Sequence, residues 1–203
     1  MKIKIIGDGS FGTFLNELLA PLFDIDASAD SIILAVPISA YESVASANAD
    51  KHLINVCSVQ KPSTDTILKY SSSVTSIHPL FGRRTPADKR NSIVTRTFST
   101  ENDAAPFAGN EVEFLERFSQ ISKLVLIDPS GDVFTPDSHD RIMAKTHVAA
   151  VLAAKQMKVF VERAEDVPDE YVPNSFRLMR EFVRTLDDMP PGTIESIMAN
   201  PYY

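Results

Sequence analysis

Three short stretches of this chain carry residue types that can do chemistry: "GDGSFG" (7–12), "NVCSVQKP" (55–62) and "SIHPLFG" (76–82). Gly7, Gly9 and Gly12 have G-x-G-x-x-G spacing, directly after a β-branched apolar run and directly before an amphipathic one. In that setting the first glycine permits a tight turn and the second lets backbone approach a pyrophosphate. The third allows close helix–strand packing, with the phosphates at the helix N-terminus. The plain alternative is a turn that binds nothing. Ser58 and His78 each fall at the C-terminal end of a predicted strand, the edge at which open α/β sheets hold ligands. A proline after His78 keeps its backbone extended, and an imidazole titrates near neutrality, as proton transfer requires. A structural histidine is the competing reading.

The elements that must position these groups follow from hydrophobic patterning. Strands are predicted at "KIKII" (2–6), "SIILAVP" (31–37), "HLINVCS" (52–58), "SVTSIHP" (73–79), "SIVTRTF" (92–98) and "KLVLIDP" (123–129). Phe14, Leu15, Leu18, Leu19 and Leu22 repeat at helical spacing within 11–23, and "NEVEFLERFSQI" (110–121) predicts another helix. Strands alternating with helices indicate a parallel α/β sheet. Between Phe23 and Asp30 the chain is too short for the usual second crossover helix. His52 reads as a loop residue ahead of a strand.

Beyond Pro136 the pattern changes. Residues 138–164 contain no proline or glycine and many alanines and methionines, so a long helix is predicted, with Ser138 and Asp140 as capping residues. A loop over 164–173 precedes a helix over 174–186, capped by Asn174 or Ser175, and a last helix begins in "PPGTIESIMAN" with Thr193 capping. The expectation is a Rossmann-type parallel α/β domain over residues 1–135, followed by a small all-helical domain over residues 136–203. Ile142, Met143, Val148, Val151 and Leu152 fill more than one helix face, which suits burial against a second copy and predicts a homodimer.

Bulk properties narrow the function classes. The 203 residues carry a net charge of −7 with a pI near 5.1, which on average repels nucleic-acid backbones and anionic membranes. Arg83-Arg84 and Lys89-Arg90 are the local exception. The single cysteine, Cys57, excludes an intramolecular disulfide framework and fits a reducing compartment. The first apolar run is too short for a secretory signal core, and no run approaches the roughly 18 residues of a membrane span. A cytoplasmic protein without a metal site is expected. Asp24 and Asp26 lie near the distance at which an acid holds an adenosine ribose, and either would favour NAD. Solvated loop acids, or Ser28 with a nearby arginine holding a 2′-phosphate, are the alternatives.

Taken together, the glycine loop, "ILAVPISA" (33–40), "CSVQKP" (57–62), "HPLFG" (78–82), "SHDRIMA" (138–144), "NSFRLMREFVR" (174–184) and "IESIMANP" (194–201) resemble the prephenate/arogenate dehydrogenase family, in family order over nearly the whole chain. The resemblance implies a Rossmann-type domain and a helical dimerisation domain with the active site between them. It implies NAD or NADP as cofactor and the oxidative decarboxylation of prephenate or arogenate, a small dicarboxylate, in tyrosine formation. His78 would be the catalytic histidine at the ring 4-hydroxyl, and Ser58 would orient that hydroxyl and the nicotinamide. Arg184 would grip a substrate carboxylate with its planar fork, and His139 and His147 would lie toward the substrate. Gly7, Asp8, Gly9, Ser10, Phe11, Gly12, Asp26, Val36 and Pro37 would contact the cofactor. A helix-capping role for His139-Asp140, and a core or surface place for His147, are the plain alternatives.

The chain departs from the family pattern at Asn55, where aspartate is usual, and at Gln60, where lysine is usual; losing both keeps the local charge balanced. Its helical domain is also short, and Arg83-Arg84 after HPLFG is unusual, either drawing in a dicarboxylate or simply solvated. Two further readings stand beside the enzyme: a nucleotide-binding protein without catalysis, and a dehydrogenase or reductase for another small acid.

Overall fold

In the computed structural model, which describes residues 1–96 and 109–203, the glycine loop joins strand β1 (Lys2–Ile6) to helix α1 (Ser10–Leu19). The remaining strands are β2 (Asp24–Ile25), β3 (Ser31–Leu34), β4 (His52–Asn55), β5 (Val74–Pro79), β6 (Asn91–Thr95) and β7 (Lys123–Val125). They form one sheet in the order β2-β1-β3-β4-β5-β6-β7. All neighbouring pairs are parallel except β5–β6. The exception has a simple cause. Parallel return needs a crossover of a dozen or more residues, and the connection from Leu80 to Arg90 holds only a 3-10 turn at Ala87–Lys89. The last two residues of the strand predicted at 92–98 lie outside the described residues.

Side chains of successive strand residues point to opposite faces, and the two faces are filled separately. Phe14, Leu15, Leu19 of α1 and Phe114, Leu115, Phe118 of α4 (Asn110–Phe118) pack on Ile3, Ile33, Ile54, Ile77 and Val94. Tyr41 and Ala45 of α2 (Tyr41–Ala47) and Ile67 of α3 (Lys61–Ile67) pack on Ile32, Leu34, Leu53 and Val74. Each buried Val, Leu, Ile or Phe among these contributes about 1.5–3 kcal/mol. The chain runs from β2 to β3 without a helix, as its length requires.

Helix α5 (Pro136–Met143) continues through a π-helical turn (Ala144–Val148) into α6 (Ala149–Glu162). It starts earlier than the composition suggests because Thr135 and Ser138 form a reciprocal capping box, each side chain accepting the other's backbone N–H at 3.0 and 3.1 Å. Asp140 therefore caps nothing on its own helix. Helices α7 (Asn174–Asp187) and α8 (Pro191–Met198) follow Pro173 and Pro190 and have no side-chain cap, so neither Asn174, Ser175 nor Thr193 has the capping role predicted for it. The fixed φ of proline defines these helix starts instead. Val148, Val151, Ala154, Leu186 and Ile197 form the core of this helical part, and Met143 packs with Phe134 on Ile93 of the sheet. Met143, Val148 and Val151, offered above to a second copy, are thus buried within the chain itself. The apolar side chains left exposed on α6 and α7 are Val159, Phe160 and Leu178. Among the described residues no helix is long and apolar enough to cross a membrane.

His52 is not a loop residue. It opens β4, is buried, and bonds Ser31 Oγ at 3.0 Å through Nδ1 and Thr75 Oγ1 at 2.8 Å through Nε2. Burial lowers its pKa from 6.5 to about 4. The depressed folded value means that the charged form favours unfolding, so stability is full above about pH 6.5 and falls as pH drops toward 4. Urea unfolding at pH 7 and pH 5 is expected to differ by about 2 kcal/mol from this group, and His52→Gln is expected to remove that part of the difference.

The glycines of the loop divide by what a side chain would meet. Gly7 has φ +125°, and a Cβ there would lie 2.1 Å from the Ala35 carbonyl oxygen; a Cβ on Gly12 would lie 2.1 Å from the Gly7 oxygen. A Cβ on Gly9 meets nothing within 4 Å. Gly12→Ala is therefore expected to cost about 2–4 kcal/mol in denaturant unfolding, while Gly9→Ala stays within about 0.5 kcal/mol of the parent.

Candidate active site

The C-terminal ends of β1, β3, β4 and β5 share one edge of the sheet, and the candidate residues collect there. Beyond β4 the chain is held by two buried side-chain amides. Asn55 Oδ1 accepts from the Cys57 N–H and the Tyr41 hydroxyl, both at 3.0 Å, and its Nδ2 donates to Ser63 Oγ at 2.9 Å and Thr64 Oγ1 at 3.2 Å. Gln60 donates through Nε2 to the Cys57 carbonyl at 2.7 Å and accepts from Thr95 Oγ1 at 3.1 Å. Asn55 Nδ2 lies 3.4 Å from Gln60 Oε1. The two departures from the family pattern thus touch each other and are mutually satisfied without any charge, which avoids the desolvation of a buried ion pair. The turn they brace carries the half-buried Ser58.

His78 is the penultimate residue of β5 and only 2% exposed. Its Nδ1 lies 2.9 Å from His139 Nε2, and its ring stacks on His147 with centroids 5.7 Å apart and planes inclined at 21°. His139 is fully buried on α5, and its Nδ1 bonds Asp140 Oδ1 at 2.7 Å. Asp140, also fully buried, accepts the backbone N–H groups of Gln60 and Lys61, each at 2.8 Å, at the start of α3. Burial, helped by His139 and His147, pushes the His78 pKa well below 6.5, and burial with His139 lowers that of His147. A neutral imidazole can accept a proton. His147 is half-buried on the π turn and neither of its ring nitrogens bonds a described residue. Segments of π-helix inside α-helices often occur at functional sites, and here the π turn carries His147.

The structure therefore gathers His78, His139 and His147, with Ser58 in the turn that follows the neighbouring strand β4. His139 differs from its expected role: with both ring nitrogens bonded and no exposed surface, it reaches a ligand only through His78. Asp140 was missed as part of the site because a helix cap explains an acidic residue near a helix start; the adjacent His139 was the available signal.

Other predicted residues lie elsewhere. Asp26 follows β2 at the level of Ile3 and Lys4, where its N–H bonds the Ile3 carbonyl, and its carboxylate pairs with Lys2 at 2.6 Å and accepts Ser28 N–H and Oγ–H. Lys2 and Ser28 hold that carboxyl far below its usual range. Gly7, just past the end of β1, is four residues beyond Ile3, about 13 Å away at strand rise, so Asp26 is engaged with Lys2 and not with the glycine loop. Arg184 is exposed on α7 and lines a groove with Val161, Glu165, Asp169 and Arg180, apart from the histidines. Arg83 spends its fork on Glu17 at 2.6 and 3.1 Å and Arg84 pairs with Asp188, so both are neutralised. Ser10 and Phe11 begin α1, Asp8 is exposed beside them, and Val36 and Pro37 follow β3, where Pro37 lies against Gly192 of α8.

No family model matches the chain, and no curated protein matches it in sequence. Its fold is that of solved dehydrogenases. A crystal structure of a putative prephenate dehydrogenase from Corynebacterium glutamicum superposes with a TM-score of 0.67 at 16% identity, covering 97% of this chain and 74% of that one. Synechocystis arogenate dehydrogenase superposes with a TM-score of 0.54 at 16% identity, covering 98% of this chain and 84% of that one. The likeness establishes a Rossmann-type α/β fold followed by helices.

Cys57, beside Ser58, is buried, and burial raises its thiol pKa to about 11. A thiol-specific reagent at pH 8 is expected to leave it unmodified in the native protein and to titrate it fully in urea.

Proposed function

We propose that this chain is an NAD- or NADP-dependent dehydrogenase that oxidatively decarboxylates prephenate or arogenate, working as a homodimer. One observation carries the reading: at the sheet edge that bears the glycine loop, the buried His78 has an Nε2 with no partner among the described residues. The motif resemblance over nearly the whole chain and the fold shared with the two dehydrogenases support it.

The residues present fit a dinucleotide. Gly9 leaves open space where a side chain would stand, and the N-terminus of α1 has neither a side-chain cap nor an acidic residue in its first turn. Its free N–H groups suit a diphosphate. Gly7 to Gly12 would hold that diphosphate, with Asp8, Ser10 and Phe11 around it and Val36 and Pro37 along the nicotinamide half. The bound nicotinamide supplies a hydride acceptor.

The chain's own residues do the rest. His78 Nε2 takes the proton of the substrate's ring 4-hydroxyl as that carbon is oxidised, Ser58 orients the hydroxyl, and the carboxyl group leaves as carbon dioxide when the ring aromatises. His147 offers two unbonded ring nitrogens to the substrate. Arg184 is left outside this set, because within one chain it lines the α6–α7 groove. The two-residue β2 and the engagement of Asp26 with Lys2 favour one other reading, a nucleotide-binding protein without turnover.

Thermal unfolding separates the two. NAD or NADP at a hundred times its dissociation constant is expected to stabilise the fold by about 2.7 kcal/mol, and prephenate or arogenate to add to that shift. His78→Asn is expected to keep the dinucleotide shift and lower turnover by about 100-fold or more. Unchanged turnover in that variant, or no shift with either dinucleotide, would contradict the proposal.

A further inference from the structure

We propose that Asp140 and His139 are positioning residues that set the tautomer of His78, forming a one-way hydrogen-bond relay whose free end is the Nε2 lone pair of His78. The relay deepens the dehydrogenase reading and rests on it for its catalytic use, but its geometry stands independently.

The direction of each bond follows from what the atoms can do. Both oxygens of Asp140 already accept backbone protons, Oδ1 from Gln60 and Oδ2 from Lys61, each at 2.8 Å, and a backbone N–H can only donate. A carboxylate has no proton to give, so the proton in the third contact, 2.7 Å to His139 Nδ1, is the one on that nitrogen. A neutral imidazole with its proton on Nδ1 has a bare Nε2, which can only accept. The 2.9 Å contact between His139 Nε2 and His78 Nδ1 must then be donated by His78. That leaves the second nitrogen of His78 without a proton, and no described residue bonds it. A buried imidazole with one nitrogen fixed as donor and the other left open is arranged to accept a proton.

The support behind the relay is rigid. Asp140 ties α5 to the first turn of α3, while Asn200 Nδ2 bonds the Asp140 carbonyl at 2.9 Å and fastens the end of the chain to the same point. His139 and Asp140 are each 0% exposed, so solvent does not compete for either contact. One arrangement would reverse the outcome: a doubly protonated His139 would donate to His78 Nδ1 and drive the proton of His78 onto Nε2, leaving no base.

The two arrangements differ in which ring nitrogen of His78 carries hydrogen, which long-range proton–nitrogen NMR correlation reads directly. The protein has four histidines, and the His78 signals are assigned by their loss in His78→Asn. In the wild-type protein at pH 7.5, without ligand, the relay predicts hydrogen on Nδ1 and a bare Nε2. Hydrogen on Nε2 would overturn it, and this spectrum needs no other variant to fold. His139→Phe removes the acceptor and is expected to let hydrogen move to Nε2 of His78. Turnover with prephenate or arogenate is then expected to fall about 100-fold or more through kcat, with KM nearly unchanged. An unchanged His78 tautomer in a folded His139→Phe would equally count against the relay. If the wild-type tautomer is as predicted but neither substrate is oxidised with either dinucleotide, the enzyme reading fails and the relay stands. If turnover is present and His78 carries its hydrogen on Nε2, the relay fails and the enzyme reading stands.

Discussion

The buried carboxylate of Asp140 is the contact on which the rest of this structure depends. It receives the two leading N–H groups of α3 and the imidazole of His139, so one side chain joins the sheet's β4–α3 turn to the first helix beyond the sheet. A carboxylate taken wholly out of water is tolerated only when its hydrogen bonds are replaced, and here three N–H donors replace them. The contact places α5, and with α5 placed, His139 meets His78. The π turn that follows then brings His147 against the face of the same ring.

Around this contact the sheet edge is organised by groups that carry no charge. Asn55 and Gln60 satisfy each other and the turn bearing Ser58, and among the described residues every side-chain nitrogen or oxygen that is wholly shut off from solvent has a partner. The glycine loop contributes shape at the same edge: Gly7 and Gly12 are required by the close approach of Ala35 and of the loop to itself, whereas Gly9 leaves room. Packing thus accounts for Gly7 and Gly12 and not for Gly9. The positive charges that might draw in an acid, Arg83 and Arg84, are tied to Glu17 and Asp188, so attraction at long range falls to less committed groups.

Much of this was legible in the residues. Each predicted strand is present; those predicted at 31–37, 52–58 and 123–129 end early, because apolar character continues past the last ladder bond in Val36, Val56 and Ile127. The missing crossover helix after β2 followed from chain length alone. The direction of β6 did not, since strand patterning reports burial and not polarity, and only the short connection after Pro79 decides it. Local rules also misplaced His52, whose imidazole is satisfied by Ser31 and Thr75 from two neighbouring strands, contacts that no nearby residue announces. Asp140 was read as a cap for its own helix, and it caps another one about 80 positions earlier in sequence. Asp26 sat at the right sequence distance for a ribose, but the truncated β2 ends beside Ile3, well short of the loop, and the Asp26 carboxylate turns to Lys2. Motif spacing located the histidines, and tertiary contacts show what each one touches.

The most direct test is a crystal structure of the protein with NAD or NADP and a non-reacting analogue of prephenate. The account predicts a diphosphate within hydrogen-bond reach, about 3 Å, of the first N–H groups of α1, and an analogue hydroxyl at the same reach from His78 Nε2. A dinucleotide seated away from Gly9, or an analogue oxygen that meets no nitrogen of His78, would contradict it.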